Sequence, residues 1–467
     1  MVEKNKKMKR ILLCSALVVA FGLCYTACRK PNLFNEDNFD ERLSGGTQTS
    51  FDASAGAFGH GFENLNAIAD FNHEVGDASF EATFITAPSK VNAGLGPLFN
   101  SVSCISCHGG DGRGRPPLYD GDPAAALLYR LSMPGADAHG APLPVPGFGG
   151  QLQGKATFGN QPEAIVTVTY TEQTFQFADG EIYKLRTPQY NFTQPYISMP
   201  SGFLFSPRIA PPVFGLGLLE NISEADILAN ADENDVNGDG ISGKANYVWD
   251  VKSQSKKIGK FGWKLNQPNL LQQAAGAYNG DMGITTSIFP VENSFGQPQY
   301  DGLNDDYELS DSLLQATAFY TQTLQVPARR NVGDAQVQMG KKVFADANCN
   351  KCHQPVMYTV TDVSRPFLSH QRIQPFTDLL LHDMGNGLAD NRPDFLANGK
   401  EWRTAPLWGI GLTEIINGHN NFLHDGRARS LMEAVMWHDG EAMNSKNKVQ
   451  QMSKIQRDAL VAFLKSL

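Results

Sequence analysis

Residues 104–108 of the chain read Cys-Ile-Ser-Cys-His, and residues 349–353 read Cys-Asn-Lys-Cys-His. Each stretch is a C-x-x-C-H sequence, which is the attachment motif of a c-type haem. Two thiols one helical turn apart can bond to both vinyl groups of one porphyrin, and the next residue places an imidazole beneath the iron. The motifs therefore predict two covalently bound haem c groups, held by Cys104, Cys107, His108, Cys349, Cys352 and His353.

Three other uses of these cysteines are open on the sequence alone. A dithiol redox motif needs no histidine after both pairs, and the βαβ context that it expects is absent. A disulfide within C-x-x-C closes a very small loop and restrains the chain little. A four-cysteine zinc site would have to unite two pairs that are about 240 residues apart. Haem attachment accounts for both histidines, and we favour it.

Composition and charge limit the class of protein. The chain has 467 residues, of which 41% are hydrophobic and 19% charged, values that are ordinary for a folded protein. Its formal net charge is −9, whereas binding to nucleic acid phosphates needs clustered lysine and arginine. We therefore expect no nucleic acid partner, and we expect a small, basic redox protein as the electron donor because opposite charges attract.

The N-terminus predicts export and a lipid anchor. Residues 1–10 are basic and residues 11–24 are apolar, too short to span a bilayer but suited to the core of a secretory signal. Residues 25–28, Tyr-Thr-Ala-Cys, resemble a bacterial lipoprotein box, although Tyr25 stands where leucine or valine is usual. Plain cleavage near Ala27 is the alternative. We predict a signal peptide over residues 1–27 and a membrane lipoprotein anchored through Cys28, in the periplasm or at the surface of a Gram-negative bacterium.

The rest of the chain divides into two units. Residues 28–50 are polar and indicate a tether. Residues 165–170 alternate like a strand, and residues 175–183 read as a hairpin that turns at Asp179-Gly180. Helical patterns over 310–324 and 333–344 precede the second motif. We predict a mainly α fold with a β-containing insertion, made of two cytochrome c-like haem domains over residues 51–328 and 329–467.

Residues 235–242, Asp-Val-Asn-Gly-Asp-Gly-Ile-Ser, resemble the first half of a calcium loop. Asp235, Asn237 and Asp239 alternate as oxygen ligands, and the glycine after them permits a sharp turn. Asn246 stands where an EF-hand has its bidentate glutamate, which weakens the match. The segment is a candidate calcium site, with a solvated Asp/Gly turn as the alternative.

Several further segments resemble the bacterial di-haem oxidoreductase family, whose members are described as peroxidases or, in older usage, thiol oxidoreductases. They extend in the same order over about residues 55–467, at 94–100, 206–210, 215–220, 239–243, 261–263, 378–385, 401–404, 406–409 and 422–427. The resemblance implies a distant relationship to di-haem cytochrome c peroxidases. In those relatives one haem has an open face where peroxide reacts, and the other is six-coordinate and passes in electrons.

The resemblance also implies ligands for the second haem. In the relatives a His-Asp-Gly segment is followed, 14 residues after its histidine, by a distal methionine or tyrosine. Here that histidine is His424, and the residue at the distal position is His438. Two imidazoles would give a lower potential than a histidine–methionine pair. Met384 is the second choice for this ligand, and His382 is the third.

The first haem is the catalytic one by the same resemblance. A peroxide site needs a base for the first proton and a polar group that assists O–O cleavage. Gln151 and Glu163 follow the first motif and are the candidates, while His139 could instead ligate the iron and close the site. The relatives also place a tryptophan between the haems soon after the first motif. Here no tryptophan precedes Trp249, so the electron route must differ.

The leading hypothesis is an enzyme that reduces hydrogen peroxide or a similar small oxidant at the first haem, with electrons relayed through the second. One alternative is a lipid-anchored electron-transfer cytochrome in which both irons are six-coordinate. Another is an oxidase of a thiol or other organic substrate, which rests on the older family label alone.

Overall fold

A computed structural model of the chain describes residues 39–302 and 307–467. The predicted signal peptide and the lipid site at Cys28 lie outside the described residues, so both stay predictions. Residues Glu41–Leu467 group into one unit by their contacts. No helix within the described ranges is long and apolar enough to cross a membrane.

The helices within the described residues are short to medium in length. They are α1 (Ala67–Glu81), α2 (Leu216–Glu220), α3 (Glu224–Leu228), α4 (Leu270–Met282), α5 (Asp311–Gln322), α6 (Ala335–Asp346), α7 (Thr413–Asn417), α8 (Leu431–Trp437), α9 (Met443–Gln451) and α10 (Lys454–Ser466). Asn66, Ser310 and Asp334 cap α1, α5 and α6, because each side-chain oxygen accepts a hydrogen bond from a backbone N–H of the first turn. The helices predicted over 310–324 and 333–344 are thus confirmed, with ends shifted by about two residues.

The strands form seven small sheets within the described residues. They are β1 (Thr49–Ser50), β2 (Leu98–Phe99), β3 (Leu127–Ala136), β4 (Pro142–Leu143), β5 (Lys155–Ala156), β6 (Ile165–Gln176), β7 (Ile182–Thr193), β8 (Leu204–Ile209), β9 (Tyr247–Asp250), β10 (Ser255–Ile258), β11 (Val326–Pro327), β12 (Met357–Tyr358), β13 (Arg372–Ile373), β14 (Leu381–Asp383) and β15 (Glu401–Arg403). One sheet has three strands in the order β4-β3-β8, and the others have two. The fold prediction is confirmed in part: helices occur in both halves, but strand pairs occur throughout and not in one insertion.

The predicted hairpin is present and is longer than predicted. β6 and β7 pair antiparallel from Ile165 with Thr193 to Gln176 with Ile182. At its tip, the buried guanidinium of Arg457 on α10 lies 2.9 Å from an Asp179 carboxylate oxygen and 2.5 Å from one of Glu181. The hairpin therefore fastens the first half of the chain to the C-terminal helices.

One hydrophobic cluster extends across the predicted domain boundary at residues 328 and 329. It contains Phe58 and Leu218 from the first half together with Leu379 and Trp408 from the second. Burial of these apolar side chains against one another stabilises both halves of the chain. The two halves therefore share part of their core. The division into two haem domains stays a prediction.

The tether predicted over residues 28–50 is too long. Thr49 and Ser50 are buried and form β1, which pairs in parallel with β11. Glu41 and the residues after it belong to the same unit as the rest of the described chain. Small polar residues suit a linker and a backbone-paired strand equally well, so composition alone could not place this boundary.

Helices α1 and α5 approach closely at Gly76. A Cβ atom at this position would lie 2.1 Å from the carbonyl oxygen of Ala316 on α5. We expect Gly76→Ala to lower the free energy of unfolding by about 1–3 kcal/mol, because overpacking forces the two backbones apart. Urea unfolding of the holo-protein measures this change. Gly333→Ala is the control, since its added Cβ meets nothing within 4 Å; equal losses in both variants would contradict the explanation.

Candidate functional site

The first Cys-x-x-Cys-His motif forms one tight turn at the wall of a cavity. The amides of Cys107 and His108 both donate to the carbonyl oxygen of Cys104, at 3.1 and 3.0 Å. Burial lowers the pKa of His108 to about 4, so its ring is neutral. Nδ1 donates to the carbonyl oxygen of Pro211 at 2.7 Å, which leaves Nε2 as the free lone pair. These three motif residues line a cavity of about 370 Å³, which we call the first cavity.

The second motif repeats this arrangement at another cavity. The amide of His353 donates to the carbonyl oxygen of Cys349 at 3.0 Å, and its Nδ1 donates to the carbonyl oxygen of Phe376 at 2.9 Å. Burial lowers the pKa of His353 to about 4 as well. Cys349, Cys352 and His353 line a cavity of about 180 Å³, the second cavity. Each motif thus presents two sulfur atoms and one imidazole nitrogen to a hollow space.

The four motif cysteines are free thiols. Neither pair is closed into a disulfide, and the two pairs line different cavities. A single zinc ion needs its sulfur ligands within about 2.3 Å, so a shared four-cysteine site is incompatible with this geometry.

Trp263 lines both cavities. Its indole N–H donates to the carbonyl oxygen of Ile209 at 2.8 Å, which fixes the ring in place. The guanidinium carbons of Arg113 and Arg403 lie 5.7 and 5.4 Å from the ring centre. This tryptophan is not the one that the family resemblance places soon after the first motif. Trp263 does belong to the segment Phe261-Gly-Trp263, which carries the family resemblance, but the resemblance gave it no role in electron transfer.

Arg113 and Arg403 carry buried nitrogen atoms without partners. Within the described residues, Nε and Nη1 of Arg113 and Nε of Arg403 make no hydrogen bond. Burial lowers the pKa of each guanidinium to about 10, so both remain positively charged at neutral pH. An unpaired buried cation is costly. These two side chains are therefore suited to an anionic group inside the cavities.

A protein-family model described as "Di-haem oxidoreductase, putative peroxidase" matches residues 39–467. The chain belongs to this family. It is accordingly an oxidoreductase, and family membership implies two haem groups in each chain. The match confirms the family resemblance of the sequence segments.

The comparisons with curated proteins and with solved structures do not extend the family assignment. No curated protein is significantly similar to the chain. The solved structure titled "Crystal structure of a MauG-like protein associated with microbial copper homeostasis" is 15% identical, covering 53% of this chain and 89% of that chain with a TM-score of 0.27. A similarity at that level carries no inference about fold or function.

The residues of this di-haem oxidoreductase fit the group that the family implies. Each cavity offers two thiols and a neutral imidazole, the donor set of a c-type haem. Arg403 lines both cavities and Arg113 lines the second, so their unpaired nitrogens could bond to carboxylates such as the haem propionates. Neither arginine was assigned a role from the sequence, although Arg403 lies in the segment 401–404 of the family resemblance, because a single arginine carries no local signal of burial.

His438 faces His353 in the second cavity. The two ring centres are 6.4 Å apart. Two imidazoles that bind one metal from opposite sides, each at about 2 Å, have their centres about 6 Å apart. Nδ1 of His438 donates to the carbonyl oxygen of Ala434 at 2.7 Å, and burial lowers the pKa of the ring. Its Nε2 is therefore available as a ligand, which supports the first choice of the sequence analysis.

His382 also lines the second cavity. Its Nδ1 lies 2.7 Å from a Glu441 carboxylate oxygen, and its Nε2 lies 2.9 Å from one of Asp378. Although burial lowers the pKa of His382, the Asp378 carboxylate raises it well above the usual value. Both ring nitrogens are thus in contact with carboxylates, and His382 as a ligand of the second haem stays a prediction. Met384 also lines this cavity and stays a prediction.

A carboxylate and a guanidinium line the first cavity together. Asp281, in the last turn of α4, accepts a hydrogen bond from Nε2 of Gln151 at 2.7 Å. Burial raises the pKa of Asp281, while the charge of Arg130 lowers it. A Cβ atom at Gly280 would lie 3.7 Å from Gln151 and 3.8 Å from Nη1 of Arg130, so the amide and the guanidinium converge there. Asp281 and Arg130 thus place a base and a cation on the same wall of the first cavity.

The residues predicted for the first haem lie outside its cavity wall. Gln151 does not line the cavity itself, but its backbone pairs with Arg130 and its side chain is bonded to Asp281, both of which do. Glu163 is buried behind it, where it accepts hydrogen bonds from the amide of Gln153 and from Gln297; burial raises its pKa to about 8. His139 stacks on Trp249 with ring centres 3.9 Å apart and lines neither cavity. The candidates were chosen by closeness in sequence to the motif, whereas α4, about 170 residues later, forms this wall.

The candidate calcium loop is held by its own side chains. Asp235 and Asn237 each accept a hydrogen bond from the amide of Asp239 at 2.9 Å. An Asp239 carboxylate oxygen lies 2.7 Å from the Nζ atom of Lys351, inside the second motif. The loop therefore contacts the second haem motif through an ion pair, and calcium binding stays a prediction.

Proposed function

We propose that this di-haem oxidoreductase reduces hydrogen peroxide in the first cavity, using electrons that arrive through the second. The observation that carries the proposal is the difference between the two cavities. In the second, the His353 and His438 imidazoles face each other. The first is lined, as far as the described residues go, by one histidine, His108. A group bound by His108 would therefore meet no second imidazole here, and we propose that its other face is open to a small oxidant.

We also propose that both haems are attached covalently, through the cysteine pairs of the two motifs. The support is that all four thiols are free and that each pair lines a cavity beside its histidine. Bound haem would supply the iron that exchanges electrons with the peroxide oxygen.

Asp281 and Arg130 are the residues that we propose for proton and charge handling. The Asp281 carboxylate would take the first proton from peroxide, as a general base. The Arg130 guanidinium would stabilise the negative charge that develops on oxygen as the O–O bond breaks. Gln151 would act as a positioning residue, because its amide holds the Asp281 carboxylate. Glu163 would support that wall through the backbone of Gln153.

Trp263 is the side chain that we propose for the passage of electrons between the cavities. It lines both, and its ring is fixed by the bond to Ile209. The electron donor in this proposal is a small, positively charged redox protein, since the net charge of the chain is −9. A lipid anchor at Cys28 would keep the enzyme at a membrane surface outside the cytoplasm.

The test is peroxide-dependent oxidation of a reduced basic cytochrome by the holo-protein. We expect two equivalents of cytochrome to be oxidised for each peroxide consumed, and a slower rate in Trp263→Phe. Trp408→Phe is the matched control, since Trp408 is also buried but lines neither cavity. Cytochrome oxidation without peroxide consumption would refute the proposal and favour an electron-transfer cytochrome. Peroxide consumption only with a thiol or another organic reductant would favour the oxidase alternative.

A further inference from the structure

We propose that Tyr320 is a redox-active tyrosine, which gives an electron toward the first cavity while its phenolic proton passes to the Asp111 carboxylate. The inference relies on the proposed peroxide reduction only for its oxidant. Neither residue is used by the reaction proposed above, and neither lines either cavity. Their role would be to supply an electron when the protein donor does not.

The phenol and the carboxylate form a buried hydrogen bond. The hydroxyl of Tyr320, on α5, donates to Oδ1 of Asp111 at 2.9 Å. Tyr320 is 3% exposed and Asp111 is 5% exposed. A phenol that loses an electron becomes a strong acid, so a base in hydrogen-bond contact is needed for its proton. Burial of the pair would also shield the resulting radical from solvent.

The backbone places this carboxylate at a fixed point beside the first motif. Asp111 lies three residues after His108, with a φ of 58° in the left-handed region. Non-glycine residues adopt this conformation rarely, and it persists where the surrounding structure imposes it. The backbone N–H of Val213 donates to the carbonyl oxygen of Asp111 at 3.0 Å and helps to hold it there.

A short chain of aromatic rings connects Tyr320 with the first cavity. The ring of Phe80, on α1, lies 5.3 Å from the ring of Tyr320 and 6.0 Å from that of His108, measured between centres. Phe80 lines the first cavity. Tyr320 is therefore one ring away from the imidazole of the first motif, while a small oxidant in the cavity would not touch it.

The charges around the pair suit proton transfer to Asp111. Burial raises the pKa of Asp111 to about 7, the Tyr320 hydroxyl opposes this, and the Asp77 and Glu81 carboxylates add to it. A base with a pKa near the working pH is the efficient acceptor. The ring of His73 lies 5.0 Å from that of Tyr320, but its Nδ1 is bonded to the hydroxyl of Thr323 and burial lowers its pKa. Asp77 is the competing acceptor, because it also acts on Tyr320.

One peroxide takes two electrons and two protons, its O–O bond breaks, and two waters form. When the reduced donor delivers one electron, Tyr320 supplies the other: its O–H bond breaks, the proton moves to Asp111, and a neutral phenoxyl radical remains. The two protons used by peroxide come from solvent. A later electron from the donor, with the proton returned by Asp111, restores the phenol.

The experiment is freeze-quench EPR of the holo-protein after one equivalent of reduced donor and one of peroxide, with residual peroxide measured in the same samples. Ring-deuterated tyrosine identifies a tyrosyl signal. We expect that signal in the wild-type protein and its loss in Tyr320→Phe. Tyr278→Phe is the matched control and should retain it. Tyr278 is buried and lines the first cavity, but its hydroxyl bonds to those of Ser79 and Thr317 and not to a carboxylate.

Two further variants test the proton acceptor. Asp111→Asn should lower the radical yield, while Asp77→Asn should not; the reverse result would overturn the assignment of Asp111. Peroxide consumption with an unchanged signal in Tyr320→Phe would overturn the role of Tyr320 and leave the proposed function intact. If peroxide is not consumed, the proposed function fails. In that case the same EPR comparison after oxidation by a photogenerated ruthenium(III) complex decides for or against Tyr320.

Discussion

Asp281→Asn is expected to lower kcat/KM for peroxide by about 10²–10⁴-fold, the usual contribution of a general base. The amide keeps the shape of the carboxylate and its contact with Gln151, but it cannot take a proton. Burial raises the pKa of Asp281. Wild-type kcat/KM should therefore rise with pH through that raised pKa as the carboxylate loses its proton, and the variant should lose this rise. Steady-state rates over a pH series measure both effects.

Glu163→Gln is the control for this prediction. Glu163 is likewise buried with a raised pKa, but it lies behind the cavity wall. Its variant should keep the pH dependence of the wild type. If Glu163→Gln abolished peroxide reduction and Asp281→Asn did not, Glu163 would be the base, as the sequence analysis predicted.

The second large effect is expected at the distal position of the second cavity. His438→Met should raise the reduction potential of the second haem by a sizeable part of the about 0.8 V range that axial ligands span. The physical reason is that a thioether stabilises the reduced iron more than a second imidazole does. A spectroelectrochemical titration of the holo-protein measures this shift, and the low-spin EPR signal of that haem should change with it.

Met384→Leu separates the two candidate ligands. Met384 lines the same cavity, but the His353 and His438 rings already have the separation that a shared iron requires. The leucine variant should leave the potential and the EPR signal unchanged. A shift in Met384→Leu together with none in His438→Met would make Met384 the ligand.

The parts of the site that the sequence predicted are those that depend on local spacing. Cys104, Cys107 and His108 lie within one turn, and the C-x-x-C-H spacing shows that turn directly in the sequence. His438 was predicted as a ligand from its distance to His424 in a family pattern, and that role stays a prediction. Asp281 was not predicted, because it reaches the first cavity from a helix that has no sequence relation to the motif. Trp263 was given no role although it lies in a segment that carries the family resemblance, because lining two cavities at once is a property of the folded chain.

The fold shows the same division between local and distant causes. The Asp179-Gly180 turn marked the hairpin because that pair favours a tight reversal of the chain. The contact of its tip with Arg457 could not be predicted, since Arg457 lies far along the sequence and meets the tip only in the folded chain. Two-residue strands such as β1 show no alternation, because their pairing is set by the partner strand and not by their own side chains.

The cluster that contains Phe58, Leu218, Leu379 and Trp408 bears on how such a chain can evolve. A protein made of two haem domains with separate cores could lose either domain and still fold as a smaller cytochrome. Here, deletion of either half would expose apolar side chains of the other to water, at a cost of roughly 25 cal/mol for each Å² exposed. It would also separate Arg457 from Asp179 and Glu181. We therefore expect neither half to be stable alone, so that loss of one half would also destabilise the cavity of the other.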